Sequence, residues 1–275
     1  MEHYTLFTFS IERMVDKMKQ KNVEGKCHIC GKYKKLTFEH IPPHKAFNFT
    51  PAKVIQGDEA IKLVTESGRF PWDTSNLKYK NQQRGMGDFT LCQQCNNITG
   101  TLYGETYIIT AYSFLKLMTD NNLEINTPYV IHINNVKMSR FARQVLSMFC
   151  STCPSITEEY PIIRDILLNK KCADNLPFKI KAYLLRNTKI SYTGIMAMLI
   201  KDVGIKTVAQ IDAFPFLFIL ELNNQTDKNG WDITKYLSLD IDDEVEEDIE
   251  VSLVEHNTMF PSDFRTKSQF SRKKV

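Results

Sequence analysis

The chain has 275 residues, and 35 basic side chains against 32 acidic ones give it a formal net charge of +3. Its hydrophobic share of 43% is enough to bury a core, which excludes wholesale disorder. No apolar run approaches the roughly 20 residues that span a bilayer, and the first residues lack the pattern of a secretory signal. We therefore expect a cytoplasmic protein of about two domains that does not bind membranes.

The small net charge conceals one strongly acidic segment. Residues 240–250 (DIDDEVEEDIE) carry eight acidic and no basic side chains, so the rest of the chain carries a charge of +11. Two interpretations stay open: a solvated loop or strand edge, or a strip that mimics nucleic acid or docks a basic partner.

Apolar side chains at helical spacing predict four helices. They are expected at residues 10–22, 96–118, 136–150 and 159–169. Gly100 or Gly104 leaves room for a break in the second of them. Residues 45–90 show no sustained period, which predicts a long loop-rich insertion.

From residue 178 onward, apolar and β-branched runs separated by Asn, Gly or Pro predict an antiparallel sheet. The basic, polar residues 265–275 are expected to fray. The predicted fold class is therefore α+β, with an N-terminal zinc-type module, a helical middle and a β-rich C-terminal region. We place the domains at residues 1–118 and 119–275.

Two C-x2-C pairs are the most specific feature of the sequence. Cys27 with Cys30, and Cys92 with Cys95, supply the four thiolates of a closed tetrahedral Zn²⁺ site, which predicts a structural zinc. The 61 residues between the pairs exceed the usual spacing, so the insertion is expected to loop out. His28, inside the first turn, is expected at the surface.

Three cysteines remain outside these pairs. Cys150 and Cys153 form a third C-x2-C spacing, with only Cys172 left to join them. Because Cys150 and Cys153 follow a helical run rich in Leu, Met and Phe, we predict core thiols, and we place Cys172 in the core with them.

A Phe-Glu-His-Ile-Pro-Pro-His segment occupies residues 38–44, between the two cysteine pairs, and Asn96 directly follows the last cysteine. This order of C-x2-C, acid-His-Ile-x-Pro and Leu-Cys-x2-Cys-Asn resembles the HNH (ββα-metal) endonucleases. The similarity is greatest to their four-cysteine branch, which includes phage junction-resolving nucleases. It covers about residues 26–105 and none of residues 120–275, so residues 1–118 would be the HNH-like module.

The resemblance implies a β-hairpin that carries the acid-His pair and a following helix that supplies the last metal ligands. His40 would be the general base, Glu39 a ligand of a catalytic Mg²⁺ or Mn²⁺, and Asn96 a second ligand or an orienting residue. These residue types suit the chemistry, because imidazole accepts a proton near neutral pH and carboxylate and amide oxygens are hard ligands.

One position departs from the family pattern. Many members carry a closing His about four residues after the Asn, and this chain has Gly100 there. The second protein ligand is then Asn96, Asn97, Thr99 or Glu105. Glu105 is the first alternative to Asn96. His44 could replace or assist His40.

Residues 1–95 hold 15 basic against 10 acidic side chains, which suits contact with phosphate. The selected candidates for that contact are Lys34, Lys35, Lys45 and Arg84, with DNA as the expected polymer and RNA left open. Lys32, Lys78 and Lys80 are further candidates, and Tyr33, Trp72 and Tyr79 are available for base stacking.

The expected function is hydrolysis of DNA phosphodiester bonds by a divalent-metal endonuclease, in restriction, anti-phage defence or a mobile element. The C-terminal region would supply targeting, a protein-partner surface or homo-oligomerisation. Two alternatives stay open: a non-catalytic zinc module that binds nucleic acid or protein, and a toxin that cleaves RNA.

Overall fold

The computed structural model describes residues 4–8, 22–57, 77–200, 204–222 and 230–269, with isolated positions at 59, 62, 66, 70 and 73. The helix predicted at residues 10–22 lies outside the described residues, as does the end of the predicted frayed tail from residue 270. Within the described ranges, no helix is long and apolar enough to cross a membrane.

In the described residues, strands dominate the two ends of the chain and the α-helices lie between residues 93 and 168. The strands are β1 (Tyr4–Thr8), β2 (Glu24–Lys26), β3 (Tyr33–His40), β4 (Ala52–Gln56), β5 (Lys80–Gln82), β6 (Gly87–Cys92), β7 (Pro128–Val136), β8 (Lys179–Leu185), β9 (Ile190–Ile200), β10 (Gly204–Ala213), β11 (Phe216–Glu221), β12 (Trp231–Asp232) and β13 (Val245–Val254). The α-helices are α1 (Gln93–Thr99), α2 (Glu105–Asp120), α3 (Met138–Thr152), α4 (Ile156–Glu159) and α5 (Ile162–Leu168).

Two sheets organise these strands. A small antiparallel sheet has the order β2-β3-β6, and a ten-stranded sheet has the order β5-β4-β1-β9-β10-β11-β8-β13-β7, with β12 paired to β8. The predicted antiparallel sheet is confirmed for β8 to β11. The large sheet is nevertheless mixed, because β1 lies parallel to β4 and β9, and β13 lies parallel to β8.

The prediction of a loop-rich insertion at residues 45–90 is wrong in part. Strands β4 and β5 lie inside it and extend the large sheet, and β6 begins at Gly87. These short strands show little apolar alternation, so none was predicted here. Their conformation depends on pairing with neighbouring strands more than on their own side chains.

The break expected at Gly100 or Gly104 does not occur. A π-helical segment, Gly100–Gly104, joins α1 to α2, and both glycines have right-handed helical φ and ψ. Continuous helix therefore runs from Gln93 to Asp120. The helices expected at residues 136–150 and 159–169 are present as α3 and α5.

One hydrophobic cluster contains residues from both sides of residue 118, from Val23 to Leu253. Helix α3 lies at its centre, where Met138, Phe141, Val145 and Phe149 are fully buried. The small sheet and the large sheet therefore share a core, and the domain boundary placed at residue 118 stays a prediction.

The acidic segment 240–250 runs into β13, at the side of the large sheet where β7 is the last strand. Its acidic side chains pair within the chain: Asp242 with Lys137 and Arg140, Glu247 with Lys235, and Asp248 with His132. These pairs favour the interpretation of the segment as a solvated strand edge.

A buried polar cluster ties the C-terminal segment to the large sheet. Asp212 on β10 is fully buried, and its Oδ2 lies 2.6 Å from His256 Nδ1 and 3.3 Å from Lys189 Nζ. Burial raises the pKa of the Asp212 carboxyl, but the positive charges of His256 and Lys189 and the hydrogen bond from Ser191 outweigh it. The net effect holds this pKa well below its usual range.

We expect Asp212→Asn to lower the free energy of unfolding at pH 7 by about 3–5 kcal/mol, because it removes one partner of a buried ion pair. The depressed pKa means that the native carboxylate contributes stability above the ordinary aspartate value of 3.8, and that this stability is lost as the pH falls below it. Urea unfolding at pH 7 and at pH 3 should therefore show a smaller acid-induced loss in the variant. Asp120→Asn, at the exposed end of α2, is the control. An unchanged acid response in Asp212→Asn would contradict the prediction.

Candidate metal centre and active site

The two C-x2-C pairs meet in space. The sulfur atoms of Cys27, Cys30, Cys92 and Cys95 all lie within 4.8 Å of one another. Three of these cysteines are buried and Cys30 is partly exposed. Four thiols at this spacing suit one tetrahedral Zn²⁺. They form the one group of three or more His, Cys, Asp or Glu with metal-binding geometry in the described part of the chain.

Local backbone structure places each pair. The first lies in the tight turn between β2 and β3, where the Gly31 amide donates to the Cys27 carbonyl over 2.8 Å. Gly31 closes this turn with φ 71°, a left-handed conformation that glycine adopts without a Cβ penalty. The second pair lies where β6 ends and α1 begins, so the cluster fixes the hairpin against the helix.

Hydrogen bonds favour a thiolate at the first cysteine. The Cys95 thiol, followed by backbone amides that include that of Cys92, lowers the pKa of Cys27 to about 4 against the opposing effect of burial. The Cys92 amide lies 3.3 Å from Cys27 Sγ. The hydrogen bond to Cys27, together with burial, raises the pKa of Cys95, so this environment favours the thiolate that zinc binds at Cys27 and opposes it at Cys95.

His28 does not lie free at the surface as predicted. Its Nδ1 donates to the Ser151 carbonyl of α3 over 3.0 Å, and burial lowers its pKa. The carbonyl of His28 accepts from Thr157, and that of Ile29 accepts from Arg164 over 3.0 Å. The turn that carries Cys27 and Cys30 is therefore bound to α3, α4 and α5. The sequence pattern did not indicate these contacts.

The remaining cysteines divide into two kinds. Cys150 and Cys153 are buried, as predicted, and burial raises the pKa of the Cys153 thiol to about 12. The core position predicted for Cys172 is wrong, because this residue is exposed between α5 and β8. It follows two exposed lysines, Lys170 and Lys171, where the chain runs over the surface.

Glu39 is the exceptional acid of the small sheet. It lies on β3 and is only 7% exposed, and burial raises the pKa of its carboxyl to about 8. Within the described residues, no hydrogen bond or ion pair compensates this burial. An uncompensated buried carboxylate is costly, so Glu39 suits a site that receives a cation.

Asn96 lies on α1, and its side chain contacts the second half of β3. Its amide nitrogen donates to Thr37 Oγ1 over 3.0 Å and to the Phe38 carbonyl over 3.4 Å. Because a carbonyl only accepts, these contacts determine which end of the carboxamide faces the strand, and its oxygen points elsewhere. The side chain of Asn96 is therefore held beside Phe38, the residue before Glu39, and its amide oxygen can bind a ligand.

His40 lies at the end of β3 with a defined tautomer. Its Nε2 donates to the Arg84 carbonyl over 2.9 Å, so the neutral ring carries its lone pair on Nδ1. Burial, together with the nearby charges of His44 and Arg84, lowers the pKa of His40 against the effect of that hydrogen bond. At neutral pH the imidazole is available as a base.

Asn48 holds the loops around His40, and no sequence pattern indicated this role. It is buried, and its amide nitrogen donates to the carbonyls of Pro42 and Met86 over 2.6 and 2.7 Å. Its side-chain oxygen accepts from the Met86 amide over 2.5 Å. Gly85 packs so closely on Asn48 that a Cβ would lie 2.0 Å from the Asn48 carbonyl oxygen.

The alternative ligands differ in exposure. Thr99 is buried, with its hydroxyl donating to the Cys95 carbonyl over 3.1 Å, which makes it a poor ligand. Asn97 and Glu105 are exposed on the helix. Gly100 is exposed too, and a Cβ built there would meet nothing within 4 Å.

The four selected basic residues form two groups along β3. Lys34 and Lys35 line an open groove of about 520 Å³ with Cys92, Gln94 and Asn97. Lys45 and Arg84 are exposed near the other end of the strand, around His40. Both groups lie where a polyanion could contact them, and their binding of nucleic acid stays a prediction.

No family model, curated protein or solved structure matches this chain. The geometry and chemistry of its own residues are therefore the basis for a function.

We expect the purified protein to carry about one zinc ion per chain. Cys92→Ser should lose that zinc and unfold at a markedly lower temperature, because the free energy of metal binding contributes directly to folding. Zinc content and thermal unfolding measure both effects. The control is Cys172→Ser, at the exposed cysteine. A zinc content that Cys92→Ser leaves unchanged would rule out the four-cysteine site.

Proposed function

We propose that this protein is a metal-dependent endonuclease of the HNH type that hydrolyses DNA phosphodiester bonds. The observation that carries the proposal is the buried, uncompensated carboxyl of Glu39, next along β3 to an imidazole whose Nδ1 is available as a base. The zinc cluster holds this strand against α1, from which Asn96 reaches it.

The donor set fits a hard divalent cation. Glu39 and Asn96 offer a carboxylate and an amide oxygen, the ligand types that Mg²⁺ and Mn²⁺ prefer, with water expected in the other positions. When bound, the cation would stabilise negative charge on the scissile phosphate and on the leaving 3′-oxygen.

The chain's own groups supply the proton transfer. His40 Nδ1 accepts the proton of the attacking water as a new phosphorus–oxygen bond forms and the bond to the 3′-oxygen breaks. The Arg84 carbonyl keeps Nε2 protonated and the ring oriented throughout this step. Asn48 maintains the loops on which that alignment depends. The exposed Lys45 and Arg84 side chains would contact the flanking phosphates.

The first test is nicking of plasmid DNA by the zinc-loaded protein with added Mg²⁺ or Mn²⁺. We expect His40→Ala to lower the cleavage rate by about 10²–10⁴-fold, the usual contribution of a general base. Glu39→Gln should abolish the response to added metal, because the amide loses the ligand charge. Glu24→Gln, at an exposed glutamate of β2, is the matched control, and we expect it to cleave normally.

Equal cleavage by wild type and His40→Ala would contradict the proposal. Absence of wild-type cleavage on duplex, single-stranded and branched DNA would favour a non-catalytic zinc module, and cleavage of RNA alone would favour an RNA-cleaving toxin.

The second test introduces at position 100 the closing histidine that many HNH endonucleases carry there. Position 100 lies one helical turn beyond Asn96, so the two side chains share a helix face, and the space around a new Cβ is open. We expect Gly100→His to lower the Mg²⁺ or Mn²⁺ concentration that gives half-maximal cleavage by about tenfold, through one added ligand. Gly100→Ala separates this gain from increased helix stability. An equal metal requirement in both variants would show that position 100 does not face the site.

A further inference from the structure

Five aromatic rings form a continuous row through the candidate active site. Successive ring centroids are 5.5, 5.0, 4.9 and 6.4 Å apart, in the order Phe89, Phe38, His40, His44 and Phe49. The first three pairs meet edge to face and the last pair is tilted, so bases would stack on the ring faces that remain exposed, above all that of Phe49. His40, the proposed base, is the middle ring. The row therefore extends on both sides of the proposed base.

The small sheet explains the first half of the row. Phe38 and His40 are two residues apart on β3, and the contact between their rings places both on one side of the strand. Phe89 is the partner of Phe38 across the β3–β6 pair. The loop after β3 then returns His44 to the ring of His40.

The row is accessible to solvent. Phe49 is 53% exposed, His44 is exposed, and the other three rings are partly exposed. Exposed phenylalanine is unfavourable in water, so a ring that the loop holds outward suits a contact with a ligand.

A second group of rings anchors the loop that carries Phe49. Phe47 has φ 64°, a left-handed conformation that is rare for a bulky residue. Its ring lies 4.6 Å from that of Tyr112 on α2 and 5.8 Å from that of Phe214, in the turn between β10 and β11. Tyr112 is itself 49% exposed. The loop is thus held between the helix and the large sheet and adds a further exposed ring.

The charges around the row match a polyanion. Lys45 and Arg84 are exposed beside His40 and His44. Two acids adjoin the row along the chain: Glu39, between Phe38 and His40, is buried, and Asp88 uses one carboxylate oxygen to accept from the Phe89 amide over 2.7 Å. Cations interleaved with accessible rings are the surface that binds single-stranded nucleic acid, because bases stack on the rings while phosphates contact the cations.

We infer that the row from Phe89 to Phe49 is a stacking platform for unpaired bases, and that the substrate is DNA with single-stranded nucleotides beside the scissile phosphate. A continuous duplex keeps its bases stacked internally and offers these rings nothing to bind. An apolar protein surface would leave the imidazoles and cations of the row without partners. This inference rests on the proposed function, in which His40 is the general base. Its binding test requires no cleavage activity.

The test is binding of a labelled oligothymidine strand and of a duplex of equal length by the zinc-loaded protein, without added Mg²⁺ or Mn²⁺. Phe49→Leu keeps an apolar side chain and removes the aromatic face. We expect it to weaken binding of the strand by about 5- to 100-fold, the loss of one base stack, and to leave duplex binding unchanged. Phe49→Trp should retain the affinity, and its fluorescence should be quenched by the strand but not by the duplex.

The matched control is Phe264→Leu, at a partly exposed phenylalanine of the C-terminal segment whose ring packs on that of Tyr183. An equal loss in Phe264→Leu, or an equal loss for strand and duplex in Phe49→Leu, would overturn the platform. Unchanged DNA binding with self-association that Phe49→Leu abolishes would instead assign the row to a second copy of the chain.

Cleavage assays separate this inference from the proposed function. Selective strand binding that depends on Phe49, in a protein that cleaves no DNA, supports the platform and refutes the nuclease. Cleavage of intact duplex at the same rate as of single-stranded DNA, unaffected by Phe49→Leu, supports the nuclease and refutes the platform.

Discussion

The four-cysteine cluster is the interaction on which the rest of the site depends. It joins a turn of the small sheet to the first residues of α1, two segments separated by 61 residues of chain. A three-stranded sheet with a short second strand has little core of its own, so metal coordination is expected to supply much of its stability. The same turn accepts hydrogen bonds from α4 and α5, which connects the candidate site to the main core.

That connection allows the site to contain groups that oppose stability. Glu39 is buried without a compensating charge, and Phe47 has a left-handed backbone. Each feature costs free energy, and surrounding structure must hold it in place. Asn48 holds the loops around them through its hydrogen bonds to Pro42 and Met86, and the four-cysteine cluster joins β3 to α1. The Arg84 carbonyl likewise orients the ring of His40.

Local patterns in the sequence predicted much of this arrangement. The C-x2-C spacings predicted the metal cluster, because a two-residue turn brings two thiols together wherever the pairs meet. Helices α3 and α5 and strands β8 to β11 were predicted from apolar periodicity. Strands β4, β5 and β7 were not, since strands of mixed polarity depend on their neighbours in the sheet. The surface position expected for His28 and the core position expected for Cys172 were wrong for a related reason: burial depends on what packs against a residue.

The sequence by itself therefore determined the chemistry: four thiols at metal spacing, an acid beside a histidine, and an asparagine after the last cysteine. Only the tertiary structure decided the environment of each group. It buried Glu39, directed Nε2 of His40 to a carbonyl, held the carboxamide of Asn96 and brought five rings from β3, β6 and the loop after β3 into contact. Residue types and spacing are properties of the chain, whereas burial, tautomer and ring alignment arise from contacts between segments distant in sequence.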